Sequence, residues 1–240
     1  MNKSKGHLCL IPTPLYEHGP LDSRALEILK NACLAENLSR TVVLVEEAKV
    51  ARTRWLRWGL PREIIDCFIL YNEHTVEQKN KEILNLLMNG KNVYLLSDGG
   101  APVFCDPGVE LVDLCHQNKI SIKSVGLDSS LMLSLILCGY KINPMIFLGF
   151  LPRQEKEREE SLRSMAPKKE LIVVMDTPYR LQALLGSVMK VMPQREIFLA
   201  MDLGHPDEEL FRGTASEALA CLAKTKREFV LIFSPLRMKK

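Results

Sequence analysis

The sequence predicts an α/β protein in two α/β domains, and three observations predict it. Short β-rich runs alternate with longer helical patterns along the whole chain. One run, Leu171 to Met175, is wholly apolar, as in a strand of a sheet covered on both faces. The chain has 240 residues, enough for one large domain or two compact ones. No sequence repeat or low-complexity linker divides it. The best boundary is Val125 to Asp128, giving an N-terminal domain over 1–124 and a C-terminal domain over 125–240. A cleft between two such halves is a usual ligand site.

In the first half, His7 to Ile11 reads as a strand. Pro20 to Leu38 reads as a helix, with Leu26, Leu29, Cys33 and Leu34 spaced to line one face. Thr41 to Val45 is a second strand. "TVEQ" at Thr75 to Gln78 has the form of a capping box, and the helix it opens ends near Gly90. Val93 to Leu96 is a strand. Asp106 is placed to cap the following helix, with Pro107 at its first position, and that helix runs to about Asn118. "ISIKSV", Ile120 to Val125, alternates as a strand does.

The second half repeats this rhythm. Ser129 to Cys138 is an apolar helix stopped by Gly139. Met145 to Gly149 is a strand, and Gln154 to Met165 a charged, exposed helix. After the strand Leu171 to Met175, Thr177 and Pro178 cap a helix. Its Leu181, Leu184, Leu185, Val188 and Met189 fall at i, i+3, i+4, i+7 and i+8. Glu196 to Met201 and Leu210 to Arg212 are strands. "TASE" at Thr214 to Glu217 is a second capping box, and Glu228 to Phe233 is the last strand.

Composition excludes several classes. The chain is 47% hydrophobic and 25% charged, ordinary for a soluble globular protein. No apolar run reaches the ~18 residues of a membrane span, and no apolar segment follows the basic start as a secretory signal requires. The seven cysteines are scattered, with no C-x-x-C pair and no Cys/His cluster at zinc spacing, so reduced, mostly buried thiols in a cytoplasmic protein are expected. The net charge of +3 permits an anionic partner without requiring one.

Two stretches carry candidate chemistry. "SDGGAPVFCDPG", Ser97 to Gly108, follows a strand and precedes a helix, where ligands sit in open α/β sheets. Gly99 and Gly100 allow close backbone approach there. The stretch is neither a dinucleotide fingerprint nor a Walker loop. "KVARTRWLRWGLPR", Lys49 to Arg62, holds five basic residues, two tryptophans and no acid. Such a segment fits phosphates and unpaired bases. It equally fits an amphipathic helix with core tryptophans and solvated arginines. "EKEREE" at 155–160 is a solvated helix face, and the five histidines are isolated in sequence.

Five motifs in order, from about Leu8 to Phe233, resemble the tetrapyrrole methylase superfamily. The likeness is nearest to the branch containing the ribosomal small-subunit RNA 2′-O-methyltransferase. "IPTPL" at 11–15 is similar to the family's first loop, and "SDGGAPVFCDPG" to its "SDAGTPLISDPG". "FLGFLPR" at 147–153 resembles "FEGFLPR", "DTPYR" at 176–180 resembles "ETPYR", and "ELFRG" at 209–213 resembles "EFLRG". The "NEH" turn at 72–74 also matches. The chain departs from the family at Tyr16, at Ala101, at Leu127 and Asp128, and within "VEEAKVAR" at 45–52. There the family reads "AEDTRHTR" and only Glu46 and Arg52 keep function-bearing matches.

The resemblance implies an S-adenosylmethionine site between the two domains, held by backbone and apolar walls rather than by a charged motif. Its residues would be Pro12, Thr13, Pro14, Ser97, Asp98, Gly99, Gly100, Ala101, Pro102, Phe104, Ser129, Ser130 and Met175. Methyl transfer is an in-line displacement with the nucleophile held about 3 Å from the methyl, and a ribose hydroxyl also needs a base. Glu46 and Asp98 are the candidate bases, Arg52 the anchor, and no metal is needed. RNA is the expected acceptor, met through residues 49–62, and a homodimer the expected assembly. A small-metabolite acceptor such as a tetrapyrrole, or a non-catalytic binding module, remain the alternatives.

Overall fold

The computed structural model describes residues 4–224 and 226–236. The chain divides into two compact units, Met1–Gly139 and Tyr140–Lys240.

The first unit is a parallel sheet of β1 (His7–Ile11), β2 (Thr41–Val45), β3 (Ile69–Leu70), β4 (Asn92–Leu96) and β5 (Ser121–Ser124), in the order β3-β2-β4-β1-β5. Its central strands are apolar on both faces, because helices cover both. Cys9, Ile11, Val43, Val45, Tyr94 and Leu96 share one face by the two-residue period. They form one core with Ala25 and Leu29 of α1 (Ser23–Ala32) and Trp55 of α3 (Ala48–Arg57). The alternate residues Leu8, Leu10, Val93 and Leu95 are equally buried. Helices α4 (Val76–Met88) and α5 (Val109–Gln117) pack against each other.

The order of the strands fixes where ligands meet this sheet. β1 and β4 are neighbours, but the chain leaves β1 toward β2 and leaves β4 toward β5, in opposite directions. Such a switch point is where ligands usually meet an open α/β sheet.

Four local expectations are corrected. The helix over Pro20–Leu38 breaks after Ala32: Leu34 is extended, and a four-residue α2 (Ala35–Leu38) follows. Ala25, Leu29 and Ala32 form its buried side, while Leu34 is exposed. Thr75 makes no capping bond to α4; its Oγ1 accepts from the Asn72 N–H at 3.0 Å, closing the "NEH" turn instead. Asp106 does not cap α5, which begins at Val109 behind Gly108. Of the seven cysteines, only Cys9, Cys115 and Cys138 are buried.

Helix α6 (Ser130–Leu137) falls in the first unit, beyond the boundary expected at Val125–Asp128. Its end is fastened to α5. A His116 ring nitrogen lies 2.7 Å from the Leu137 carbonyl oxygen. Gly139 approaches the Asp113 backbone so closely that a Cβ would stand 2.9 Å from its nitrogen.

The second unit is a mixed sheet of β6 (Met145–Gly149), β7 (Leu171–Asp176), β8 (Ile197–Met201), β9 (Glu209–Gly213) and β10 (Phe229–Phe233), ordered β6-β7-β10-β8-β9. Only β6 and β7 run parallel. Helices α7 (Glu155–Met165), α8 (Leu181–Val191) and α9 (Ala215–Cys221) cover one face, and α8 contacts both others. Ile172, Val174, Leu199, Leu231 and Phe233 meet Leu162, Leu184, Leu185, Val188 and Ala218 in one core. α9 starts in the capping box expected at Thr214 and Glu217. A single 3-10 turn, Pro178–Arg180, precedes α8, and Thr177 makes no side-chain cap. We expect Phe233→Ala, at a fully buried position, to cost about 3–5 kcal/mol, read as a lowered urea midpoint with the sheet's circular dichroism retained.

Candidate functional site

At the switch point the loops after β1 and β4 are bonded to each other. The Thr13 N–H donates to the Gly100 carbonyl at 2.9 Å, and the Gly100 N–H donates to the Thr13 carbonyl at 3.0 Å. Gly100 holds this position at a φ of +89°, which only glycine adopts without strain. Side chains reinforce the pair. Thr13 Oγ1 donates to the Ser97 carbonyl at 3.0 Å, and Ser97 Oγ to the Gly100 carbonyl at 2.7 Å. Pro12, Thr13, Ser97 and Pro102 are buried, whereas Pro14, Asp98, Gly100, Ala101 and Phe104 are half-buried and Gly99 is exposed.

The stretch beyond Gly100 is strained. Val103 and Cys105 have φ values of +74° and +62°. Positive φ is costly for a β-branched residue and marks backbone held by its surroundings. Val103 is buried, and its side chain occupies the space a Cβ on Gly108 would need, 2.8 Å away. Gly108, at φ +133°, therefore has no room for a side chain, and the helix begins only after it.

Helix α3 supplies the third side. Its face at Ala51, Arg54, Trp55 and Trp58 follows the i, i+3, i+4, i+7 spacing. Arg54 is buried, with Nη1 2.8 Å from the Pro14 carbonyl and 3.3 Å from Thr13 Oγ1. It thus clamps the first loop from below. Arg57 donates to the Glu17 carbonyl at 2.8 Å, and Trp58 Nε1 to that of Gly19 at 3.3 Å. Trp55 lies in the core, edge-on to Phe68, with Nε1 on the Pro61 carbonyl at 2.8 Å. Of the two readings of Lys49–Arg62, the amphipathic helix describes its tryptophans. Trp55 has no face left for an unpaired base. The arginine that braces the site is Arg54, missed in the sequence; Arg52 is exposed on the same helix. The missed signal was the spacing that sets Arg54 on the face of Trp55 and Trp58.

Glu46, just after β2, faces the Asp98 loop. Its Oε2 accepts a long hydrogen bond of 3.4 Å from the Asp98 N–H, and its carbonyl accepts from Asn72 Nδ2 at 3.2 Å. Burial, then the nearby charges of Asp106 and Asp98, push the Glu46 carboxyl up to about 7. Burial also raises Asp98, against the opposing pull of the Glu47 N–H and Arg54, and burial raises Asp106. Sequence reasoning gave Asp106 a capping role; the structure sets it with Glu46 and Asp98 instead. A carboxyl ionised in part near neutral pH is suited to take up a proton there.

The remaining expected residues belong to other elements. Ser129 caps α6 through a 3.3 Å bond from the Met132 N–H, and Ser130 opens that helix; both are exposed. The turn before them is tied back to α1, since Arg24 spans Asp22 and Asp128. Met175 is half-buried in β7, opposite Val230. His74 is exposed beside Glu73.

Loops bonded to each other at the switch point of a parallel sheet place the chain among the α/β proteins that meet ligands at such strand ends. The family model described as Tetrapyrrole (Corrin/Porphyrin) Methylases matches residues 21–219. The chain is 32% identical to a protein of Thermotoga maritima named Ribosomal RNA small subunit methyltransferase I, over 92% of this chain and 94% of that one. It is also similar to proteins of the same name from Halalkalibacterium halodurans (30% identical, covering 95% and 75%) and Bacillus subtilis (32% identical, covering 89% and 69%). The chain belongs to the tetrapyrrole methylase family and is an S-adenosylmethionine-dependent methyltransferase.

Two outcomes follow from the site's geometry. The Glu46 carboxyl should titrate near pH 7 by NMR, and Asp106→Asn should lower its midpoint. Because folding raises this pKa, the folded chain holds a proton that the unfolded chain releases. Stability should therefore fall as pH rises from the ordinary carboxylate range toward 7, and Glu46→Gln should flatten that slope. Arg54→Met should keep the core but free the first loop. With a charged hydrogen bond of about 1.5–3 kcal/mol lost, the Thr13 and Gly100 amides should exchange roughly tenfold or more faster.

Proposed function

We propose that the chain transfers a methyl group from S-adenosylmethionine to a ribose 2′-hydroxyl of small-subunit ribosomal RNA. The observation that carries the acceptor is the nearly full-length likeness to proteins named Ribosomal RNA small subunit methyltransferase I. Glu46 supports the chemistry, because a hydroxyl is a weak nucleophile until a base takes its proton.

In this reading Pro12, Thr13, Pro14, Ser97, Asp98, Gly99, Gly100, Ala101, Pro102 and Phe104 hold the cofactor. They suit a ligand held through backbone and apolar contact. Gly100 has left-handed geometry, and at exposed Gly99 the nearest atom to an added Cβ is the Pro14 carbonyl oxygen, 3.9 Å away. Thr13 and Ser97 frame the wall, since their polar groups face each other and Gly100. Ser129, Ser130 and Met175 are assigned to the same ligand on motif likeness. S-adenosylmethionine brings a methyl already activated by its positive sulfur. Glu46 takes the hydroxyl proton, Asp98 is the second candidate base, and Arg52 is an anchor for substrate phosphate. A ribosomal acceptor goes with a cytoplasmic site of action, and the motif likeness goes with a homodimer, which sedimentation of the purified chain reads directly.

Mass spectrometry of small-subunit ribosomal RNA from cells with and without this chain should show one ribose methyl lost. With purified protein, the transfer rate should rise with pH through about 7. Glu46→Gln should lower it by about 10²–10⁴-fold while calorimetry still detects S-adenosylmethionine. Full transfer by both Glu46→Gln and Asp98→Asn would falsify the base assignment. A bound visible pigment with unchanged ribosomal RNA would indicate a tetrapyrrole acceptor instead.

A further inference from the structure

Two motifs of the second unit, "FLGFLPR" at 147–153 and "DTPYR" at 176–180, hold none of the residues assigned a role above, yet the fold joins them. β6 and β7 are parallel neighbours, with Gly149 opposite Val174, so the segments that follow them leave the sheet at one end. β10 is antiparallel to β7 and begins there, Phe229 pairing with Asp176, which brings Lys226 to the same end. Arg180 fastens the two motifs together. Its Nη2 donates to the Leu151 carbonyl at 3.0 Å and the Pro152 carbonyl at 2.6 Å. Its Nη1 lies 3.1 Å from the buried carboxylate of Asp176, which also accepts from the Thr177 N–H at 2.8 Å.

This braced corner presents aromatic rings outward. Phe150, beside Leu151, is 64% exposed, and Tyr179, beside Arg180, is 74% exposed. Large rings held in the open on a fixed backbone mark a contact surface. Cations accompany them: the Lys226 ammonium stands 4.1 Å from the Tyr179 ring centroid, and Arg153 is exposed beyond Pro152. Most acids at the same end are already engaged, Asp176 by Arg180, Asp202 and Glu209 by Arg227 and Asp207 by Lys224, while Glu228 is exposed beside Phe229. Protein interfaces are enriched in aromatic rings but depleted of lysine, and here a lysine stands over the Tyr179 ring. Open rings flanked by cations match a partner with flat π faces joined by negative charge, which is an unpaired nucleic-acid strand.

We propose that this corner binds an unpaired RNA segment, with bases stacked on Phe150 and Tyr179 and phosphates met by Arg153 and Lys226. It deepens the RNA-acceptor reading and rests on it.

The test uses the full chain and a fluorescein-labelled oligoadenosine of about twelve nucleotides, within the footprint such platforms cover. Anisotropy should show Phe150→Ala and Tyr179→Ala each weakening binding about fivefold to a hundredfold, the loss of one stacked base. Tyr179→Phe should bind as the parent does. Lys226→Gln should reduce the salt dependence by about one phosphate contact. S-adenosylmethionine affinity and the thermal midpoint should stay unchanged in all four. Unchanged RNA affinity in the double alanine variant overturns the surface, as does a change in sedimentation with RNA binding intact, which would make the rings a contact between copies. If cells lacking the chain lose the ribosomal methyl group while the double variant still binds RNA normally, the surface alone fails. Ring-dependent RNA binding with no ribosomal methyl difference sinks the acceptor reading alone.

Discussion

Two backbone hydrogen bonds, between Thr13 and Gly100, hold the first unit's functional end together. They join the loops that leave β1 and β4 at the point where those strands' connections diverge. A parallel sheet leaves the carboxyl ends of its strands without further ladder partners, and backbone groups buried there must still be satisfied. Here the loops satisfy each other. Thr13 and Ser97 repeat the solution with their hydroxyls, and Arg54 adds a cationic donor to the Pro14 carbonyl. Gly100 is required because the reciprocal bonds occur at a left-handed φ. The departure from the family at Ala101 lies next to this bridge and removes none of its bonds, since every donor and acceptor named in it belongs to Thr13, Ser97, Gly100, Arg54 or Pro14.

The same bridge explains the strain that follows it. Once Gly100 is pinned to the first loop, the chain must turn sharply to reach α5. It does so through positive φ at Val103, Cys105 and Gly108. Asp106 sits among the carboxyls, and the buried Val103 holds the bend in place against its steric cost.

Most strands are legible because their signals are local, apolar runs of the right length between turn residues; β3, two residues long, is too short to show one. Thr214 and Glu217 likewise read correctly as a capping box, since that motif is complete within four residues. Thr75 carries the same local pattern, but the nearby "NEH" turn takes its hydroxyl, and a competing partner outside the motif decided the outcome. The switch-point loop was legible as a candidate site from its glycines and its place after a strand. Its bracing was not. Arg54 sits among several similar arginines, and only burial of the α3 face that holds Trp55 separates it from Arg52. α6 was placed with the second half because its tie to α5, through His116 and Gly139, is a tertiary contact with no sequence signature.

Electrostatics at the site follow from burial and from which groups lie close to the carboxyls. The Glu47 N–H favours ionised Asp98, and Arg54 adds to that, so Asp98 has partners for its charge against its burial. Glu46 has burial, two carboxyl neighbours and a single long hydrogen bond from a backbone amide. Like charges in a half-buried site cannot all ionise together without cost, so the proton is retained longest where compensation is weakest, at Glu46. The division of roles between the two acids thus comes from burial of Glu46 beside two carboxyls, set against the Glu47 N–H and, after it, Arg54 at Asp98.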